Sequence, residues 1–172
     1  MRIALPAALS SLLTGSLAAG ELNVSIEIPR MSVAEYHRPY VAIWVEKPDQ
    51  SVATNLAVWY DVKKTTGSEP GTTWLKDMRQ WWRKSGRDLT MPVDGVSGAT
   101  KPPGTHQVTF AEGNAPLGNL PPGSYNLVVE AAREVGGREL LRIPFQLPAK
   151  APQNGKVQGE HELGAVTLAV KP

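Results

Sequence analysis

The run Tyr40-Val41-Ala42-Ile43-Trp44-Val45 is apolar at every position. A strand of that kind has no face to give to water, so it must lie inside a sheet covered on both sides. Residues 56–62 repeat the condition, with Leu56, Val58 and Tyr60 expected on one face and Ala57 and Trp59 on the other. Two such strands in succession call for a sandwich with a further layer on its outer surface.

Around this pair the chain reads as short strands and turns. Leu22, Val24, Ile26 and Ile28 alternate with polar residues, the period of a half-buried strand. Further strands are expected at 105–110, 124–134, 138–147 and 163–170, with Tyr125, Leu127, Val129 and Ala131 facing inward. Val135-Gly136-Gly137-Arg138 reads as a hairpin turn whose glycines are free to take φ > 0. The stretch 87–104 reads as irregular, and 148–161, with Pro148, Pro152, Asn154, Gly155 and Gly159, as a flexible excursion. The 16 glycines and 15 prolines exclude a helical bundle or coiled coil. About seven short strands separated by turn residues predict a mainly β chain with an immunoglobulin-like β-sandwich.

The outer layer is assigned to one helix over 73–85. Trp74, Leu75, Met78, Trp81 and Trp82 fall on a single helical stripe, with Thr72 or Thr73 as N-cap and Gly86 as terminator. Either the tryptophans simply attach the helix to the sheet, or one of them stacks on a cofactor. Lys76, Arg79, Arg83 and Lys84 occupy the opposite face, which is either solvated or an anion-docking patch.

Residues 1–20 are expected to be a secretory signal peptide. Met1-Arg2 precedes an uncharged run from Ile3 to Ala19, and cleavage fits after Ala18 or after Gly20. A membrane anchor needs about 20 strongly apolar residues, whereas this run holds Pro6, Ser10, Ser11, Thr14, Gly15 and Ser16. The mature chain is then one β-sandwich domain, 21–172, exported to the periplasm and without a membrane span. With 18 basic and 16 acidic side chains, the full sequence is too balanced for a nucleic-acid binder. The absence of cysteine excludes disulfides, thiolate metal sites and a lipid-modified N-terminus.

Little enzyme chemistry is legible. His37, His106 and His161 are scattered without ligand spacing, so no metal site is expected. Gly95-Val96-Ser97-Gly98-Ala99 approaches a nucleophile elbow, but Ala99 replaces the final glycine and no base or orienting acid accompanies Ser97. No catalytic residue is assigned. What remains is Asp94-Gly95-Val96-Ser97-Gly98-Ala99-Thr100. A hydroxyl flanked by glycine and alanine is open to a bulky phosphoryl donor, so Thr100 is placed to attack a pyrophosphate and keep a phosphoester-linked group. The plainer alternative is a surface turn in which Asp94 and Ser97 bond to nearby backbone.

That heptapeptide resembles the acceptor motif of covalently flavinylated proteins, in which an FAD:protein FMN transferase attaches FMN to the final threonine. The remainder resembles a family of predicted periplasmic proteins of unknown function found beside such transferases and PepSY-type membrane reductases. The likeness runs from Pro39-Tyr40-Val41-Ala42-Ile43-Trp44-Val45-Glu46 through Trp74-Leu75-Lys76-Asp77 and Trp81-Trp82-Arg83. It continues through the motif to Pro121-Pro122-Gly123-Ser124-Tyr125 and Glu130-Ala131-Ala132-Arg133-Glu134. One departure stands out: flavin-binding domains often carry a hydroxyl residue two positions after the acceptor, where this chain has Pro102. The resemblance implies an electron carrier with FMN on Thr100, Gly98 and Ala99 giving access, and Asp94 and Ser97 recognised or activated during transfer. Trp81 or Trp82 would stack on the ring. Its partners would be the transferase and a PepSY-type or other extracytoplasmic redox protein. The alternative is a cofactor-free binding or scaffolding module.

Overall fold

The computed structural model describes residues 20–63 and 69–172. The segment read as a signal peptide therefore lies, except for Gly20, outside the described residues. Two open sheets pack as a β-sandwich. The first holds β1 (Glu21–Ile28), β5 (Gly104–Ala111), β8 (Gln153–Gln158) and β9 (Ala165–Lys171), in the order β5-β1-β9-β8. The second holds β2 (Tyr40–Glu46), β3 (Val52–Tyr60), β4 (Ser97–Ala99), β6 (Gly123–Ala132) and β7 (Arg138–Leu147), in the order β4-β3-β2-β6-β7. β2 is thus the central strand that its two-sided apolarity demands. Val41, Ile43 and Val45 join the inter-sheet core, while Ala42 and Trp44 join a second apolar cluster on the outer face.

Two of the nine strands among the described residues lie where the sequence reads as loop. β8 occupies part of the stretch expected to be flexible, and β4 sits inside the stretch expected to be irregular. Polar composition hides β8: Gln153, Gly155 and Val157 are half-buried while Asn154, Lys156 and Gln158 are exposed, so an edge strand needs little apolar area. In β3 the expected faces also change. Ile43 pairs with Ala57 and Trp44 with Asn55, so Leu56 is an inserted bulge residue and shares the inter-sheet core with Ala57 and Trp59. Val58 and Tyr60 turn to the outer cluster. At the β6–β7 turn the positive φ belongs to Val135, at 51°, and not to either following glycine.

The outer layer is not one continuous helix. A 3-10 turn spans Gly71–Asp77, Met78 breaks it with ψ 74°, and a short helix α1 (Arg79–Lys84) follows. Neither Thr72 nor Thr73 caps it through a side chain, and α1 ends at Ser85 with Gly86 opening another 3-10 turn. Trp81 inserts fully into the outer cluster beside Trp44, Leu75 and Met78. Burying an aromatic side chain removes about 150–250 Å² from water, worth several kcal/mol at about 25 cal/mol per Å². A close approach fixes Gly86: a Cβ there would lie 2.5 Å from Trp81 Cζ3.

Candidate functional site

The heptapeptide begins as a tight turn. Gly95 takes φ +70°, and Val96 and Ser97 both donate backbone N–H groups to Val93 O, at 3.2 and 2.9 Å. Ser97 Oγ accepts the Val93 N–H at 2.9 Å, one of the local bonds expected of a surface turn. Asp94 is exposed, while Val96 is buried in the outer cluster and anchors the turn.

From Ser97 the chain runs parallel to β3, with Ser97, Gly98 and Ala99 opposite Val58, Trp59 and Tyr60. Val58 N–H donates to Val96 O at 2.8 Å and Thr100 N–H to Tyr60 O at 3.2 Å, which closes the ladder at both ends. β4 is an edge strand, so alternation turns the backbone N–H and C=O of Ala99 away from β3. Gly98 lies against the Trp59 indole: a Cβ there would stand 3.3 Å from Cδ1. The motif is therefore a short, outward-facing edge strand that delivers Thr100 at its end. Ser97 sits in a strand rather than at a strand-to-helix turn, which removes the geometry a nucleophile elbow requires.

Thr100 is half-buried on the rim of a cleft of about 200 Å³. Tyr40 and Trp74 supply its aromatic surface, His37 and Arg38 line one part, and Asp61, Asp77 and Glu134 supply carboxylates. Tyr40 is held firmly: its hydroxyl donates to Gly71 O at 2.8 Å and its ring meets Tyr60 edge-on at 6.3 Å. Burial pushes that hydroxyl above its ordinary pKa, which keeps it a donor. His37 contacts Glu35 at 2.9 Å and Glu134 at 3.6 Å. Past Trp74, Asp77, Ala132 and Glu134, which border both, the cleft opens into a depression of about 400 Å³ where Arg79, Arg133 and Arg138 stand.

The expected stacking residues are elsewhere. Trp81 is fully buried, its indole N–H donating to Asn55 Oδ1 at 2.9 Å, and Trp82 packs on the outer cluster. Neither borders the cleft; Trp74 does. The break at Met78 explains the exchange, because a 3.6-residue period does not carry across a 3-10 turn into a new helix. Tyr40, Asp61 and Arg38 carry no mark in the sequence either, since they reach the cleft only through sheet pairing and loop closure. The basic face also loses a member: Lys84 turns inward to the buried Glu46 at 3.1 Å, leaving Lys76, Arg79 and Arg83 outside.

Among the described residues no helix is long and apolar enough to cross a membrane. No curated protein and no solved structure matches the chain. A family profile described as "predicted periplasmic protein" covers residues 21–165, which include the whole heptapeptide and every residue lining the cleft. With that span the chain belongs to the predicted periplasmic protein family DUF2271, and the periplasm is its location, in keeping with the export read from its first twenty residues.

Proposed function

We propose that this periplasmic protein is an electron carrier with FMN covalently attached at Thr100. The supporting observation is the position of Thr100, at the end of an outward-facing edge strand and on the rim of a cleft carrying aromatic and cationic groups. In the attachment step Thr100 Oγ attacks the flavin-side phosphorus of FAD. The new P–O bond forms as the pyrophosphate P–O bond breaks, AMP leaves, and the hydroxyl proton departs to the transferase. Ala99 is exposed and Gly98 has no side chain, so a transferase can approach the hydroxyl along the strand.

The residues present fit such a group. Ligand sites for molecules of this size occupy about 300–1,000 Å³, a range reached by the cleft together with its adjoining depression. Arg38 offers positive charge to a phosphodiester, and Trp74 and Tyr40 offer planar apolar surface. Bound FMN would supply an isoalloxazine that exchanges one or two electrons. The chain's own work would be to hold that ring and present it to a PepSY-type membrane reductase or another extracytoplasmic redox protein. Arg79, Arg83 and Lys76 give the outer face a basic surface for an acidic partner.

The local bonds between Ser97 and Val93 favour a second reading, a cofactor-free binding module in which the heptapeptide is only a turn. Intact mass separates the two after co-export with an active FAD:protein FMN transferase. A gain of FMN minus water on the peptide holding Thr100, absent from Thr100→Ala, supports the carrier. An unmodified mass, with a control substrate modified in parallel, leaves the binding module.

A further inference from the structure

Resting on attachment at Thr100, we propose that Trp74 is the positioning residue for the flavin ring. The ring would lie against its indole in the groove between the 3-10 turn and the β6–β7 turn.

Trp74 differs from the other four tryptophans. Trp44 and Trp81 are fully buried in the outer cluster, Trp59 is buried in the inter-sheet core, and Trp82 packs against the outer cluster. Trp74 is half-buried, belongs to neither cluster, and borders both parts of the groove. Leu75 is locked into the outer cluster, while Trp74, just before it in the same 3-10 turn, borders the groove instead. A tryptophan with an accessible indole beside a groove gains from any planar apolar group that covers it.

The two parts of the groove differ in chemistry, and the difference suits a flavin nucleotide tethered at its phosphate. Thr100 and Arg38 line the cleft and not the depression, so the phosphoester would be fixed in the cleft. Asp61 lines the same cleft and Asp77 borders both parts, with acceptors for a hydroxyl-bearing chain. Trp74 offers the plane, and Arg79 stands in the adjoining depression, where the carbonyl-bearing edge of the ring carries negative charge. Arg133 and Arg138 border the same depression but are committed elsewhere, to Glu162 at 2.9 Å and to Glu130 at 2.8 Å. Arg79 makes no ion pair among the described residues, so its guanidinium is available to a ligand.

The test uses flavin emission, which stacking on an indole quenches. Wild type, Trp74→Ala, Trp74→Phe and Trp82→Ala are co-exported with an FAD:protein FMN transferase and checked by intact mass and near-ultraviolet circular dichroism. The expected result is weak emission in the wild type and a several-fold rise in Trp74→Ala. Trp74→Phe should fall between them and Trp82→Ala should match the wild type, all at the same FMN mass. Emission as bright as free FMN in the wild type, or no rise in Trp74→Ala, overturns the proposal while leaving attachment intact. An unmodified wild-type mass removes attachment and this proposal with it. Should Trp74→Ala misfold, iodide quenching of the wild-type flavin decides: a shielded ring supports the seat, and a ring as accessible as free FMN overturns it.

Discussion

Glu130, fully buried on β6, receives the backbone N–H of Trp81 at 2.8 Å and so caps a helix from the sheet beneath it. Its other carboxylate oxygen takes the Gln80 N–H at 3.1 Å and Arg138 Nη1 at 2.8 Å. A short helix with no side-chain cap of its own has its first donors satisfied by a strand fifty residues further along the chain. Glu130→Ala leaves two N–H groups without their partner in a buried interface, at about 1–3 kcal/mol each when unsatisfied. A loss of about 2–4 kcal/mol is expected, read as a lower urea midpoint. Glu130→Gln, which keeps one acceptor oxygen, should lose less. A midpoint unchanged in Glu130→Ala would mean that the cap is not formed in solution.

Acid should weaken the fold through Glu46. Burial opposes its charge, but hydrogen bonds from Arg142 and Lys84, at 3.1 Å each, and from the Trp44 indole N–H outweigh that opposition. The net result lowers its pKa below the ordinary value of 4.5. Because the folded value is the depressed one, the stabilisation is present above the unfolded pKa and is lost as pH falls through the folded one. Glu139 behaves alike: burial works against its charge, and four backbone N–H groups of residues 160–163 lower its pKa overall. Urea midpoints measured downward from neutrality should hold steady and then fall below about pH 4.5. Glu46→Gln should be less stable near neutrality and show a shallower acid slope. Equal slopes would remove Glu46 as a source of the acid sensitivity.

What could be read in advance depended on how local its cause was. The alternation of Leu22, Val24, Ile26 and Ile28 reports a face directly, and all four are buried in the inter-sheet core. The two-sided run 40–45 likewise fixed β2 as central, because no other place accepts it. Leu56 leaves its expected face because a bulge depends on the partner strand's register, which one strand's pattern does not contain. Trp74 leaves its expected stripe for a similar reason: the stripe requires an unbroken helix, whereas Met78 ends the 3-10 turn. The cleft beside Thr100 combines residues from 37 to 134, brought together only by tertiary structure, so the motif was legible and its surroundings were not.

Val135 marks a place where the sequence works against the turn it forms. It takes φ 51°, a left-handed conformation that a β-branched side chain adopts at a cost, and it is 77% exposed, so little packing compensates. Asparagine tolerates that region through its short polar side chain. Val135→Asn should therefore raise stability by about 1 kcal/mol, read as a higher urea midpoint. It should leave the Gly136 N–H bond to Arg133 O, now 2.9 Å, in place. A lower midpoint would indicate that the valine methyls contribute packing that outweighs the backbone strain.

Gly98 connects the shape of the edge strand to its chemistry. A Cβ at this position would meet Trp59 Cδ1 at 3.3 Å, so either the indole or the strand must give way. The indole is the harder to move: it is only 4% exposed, packs in the inter-sheet core, meets His106 edge-on at 6.1 Å and lies under Lys101 Nζ at 5.4 Å. β4 is the softer element, a three-residue edge strand whose last bond, Thr100 N–H to Tyr60 O, is already 3.2 Å. Gly98→Ala should push β4 outward, weaken that bond and shift Thr100 away from the cleft rim. Overpacking of this kind costs about 1–3 kcal/mol, and a yielding edge puts the expected loss at the lower end. FMN incorporation should fall further than stability does, because the transferase must find the hydroxyl in a defined place. Thr90→Ala, exposed and outside the heptapeptide, is the control that should change neither. Incorporation rates from intact mass, compared at temperatures where both variants are fully folded, separate the two effects. If Gly98→Ala is modified as fast as the wild type, the transferase reads the peptide without regard to its seat on β3.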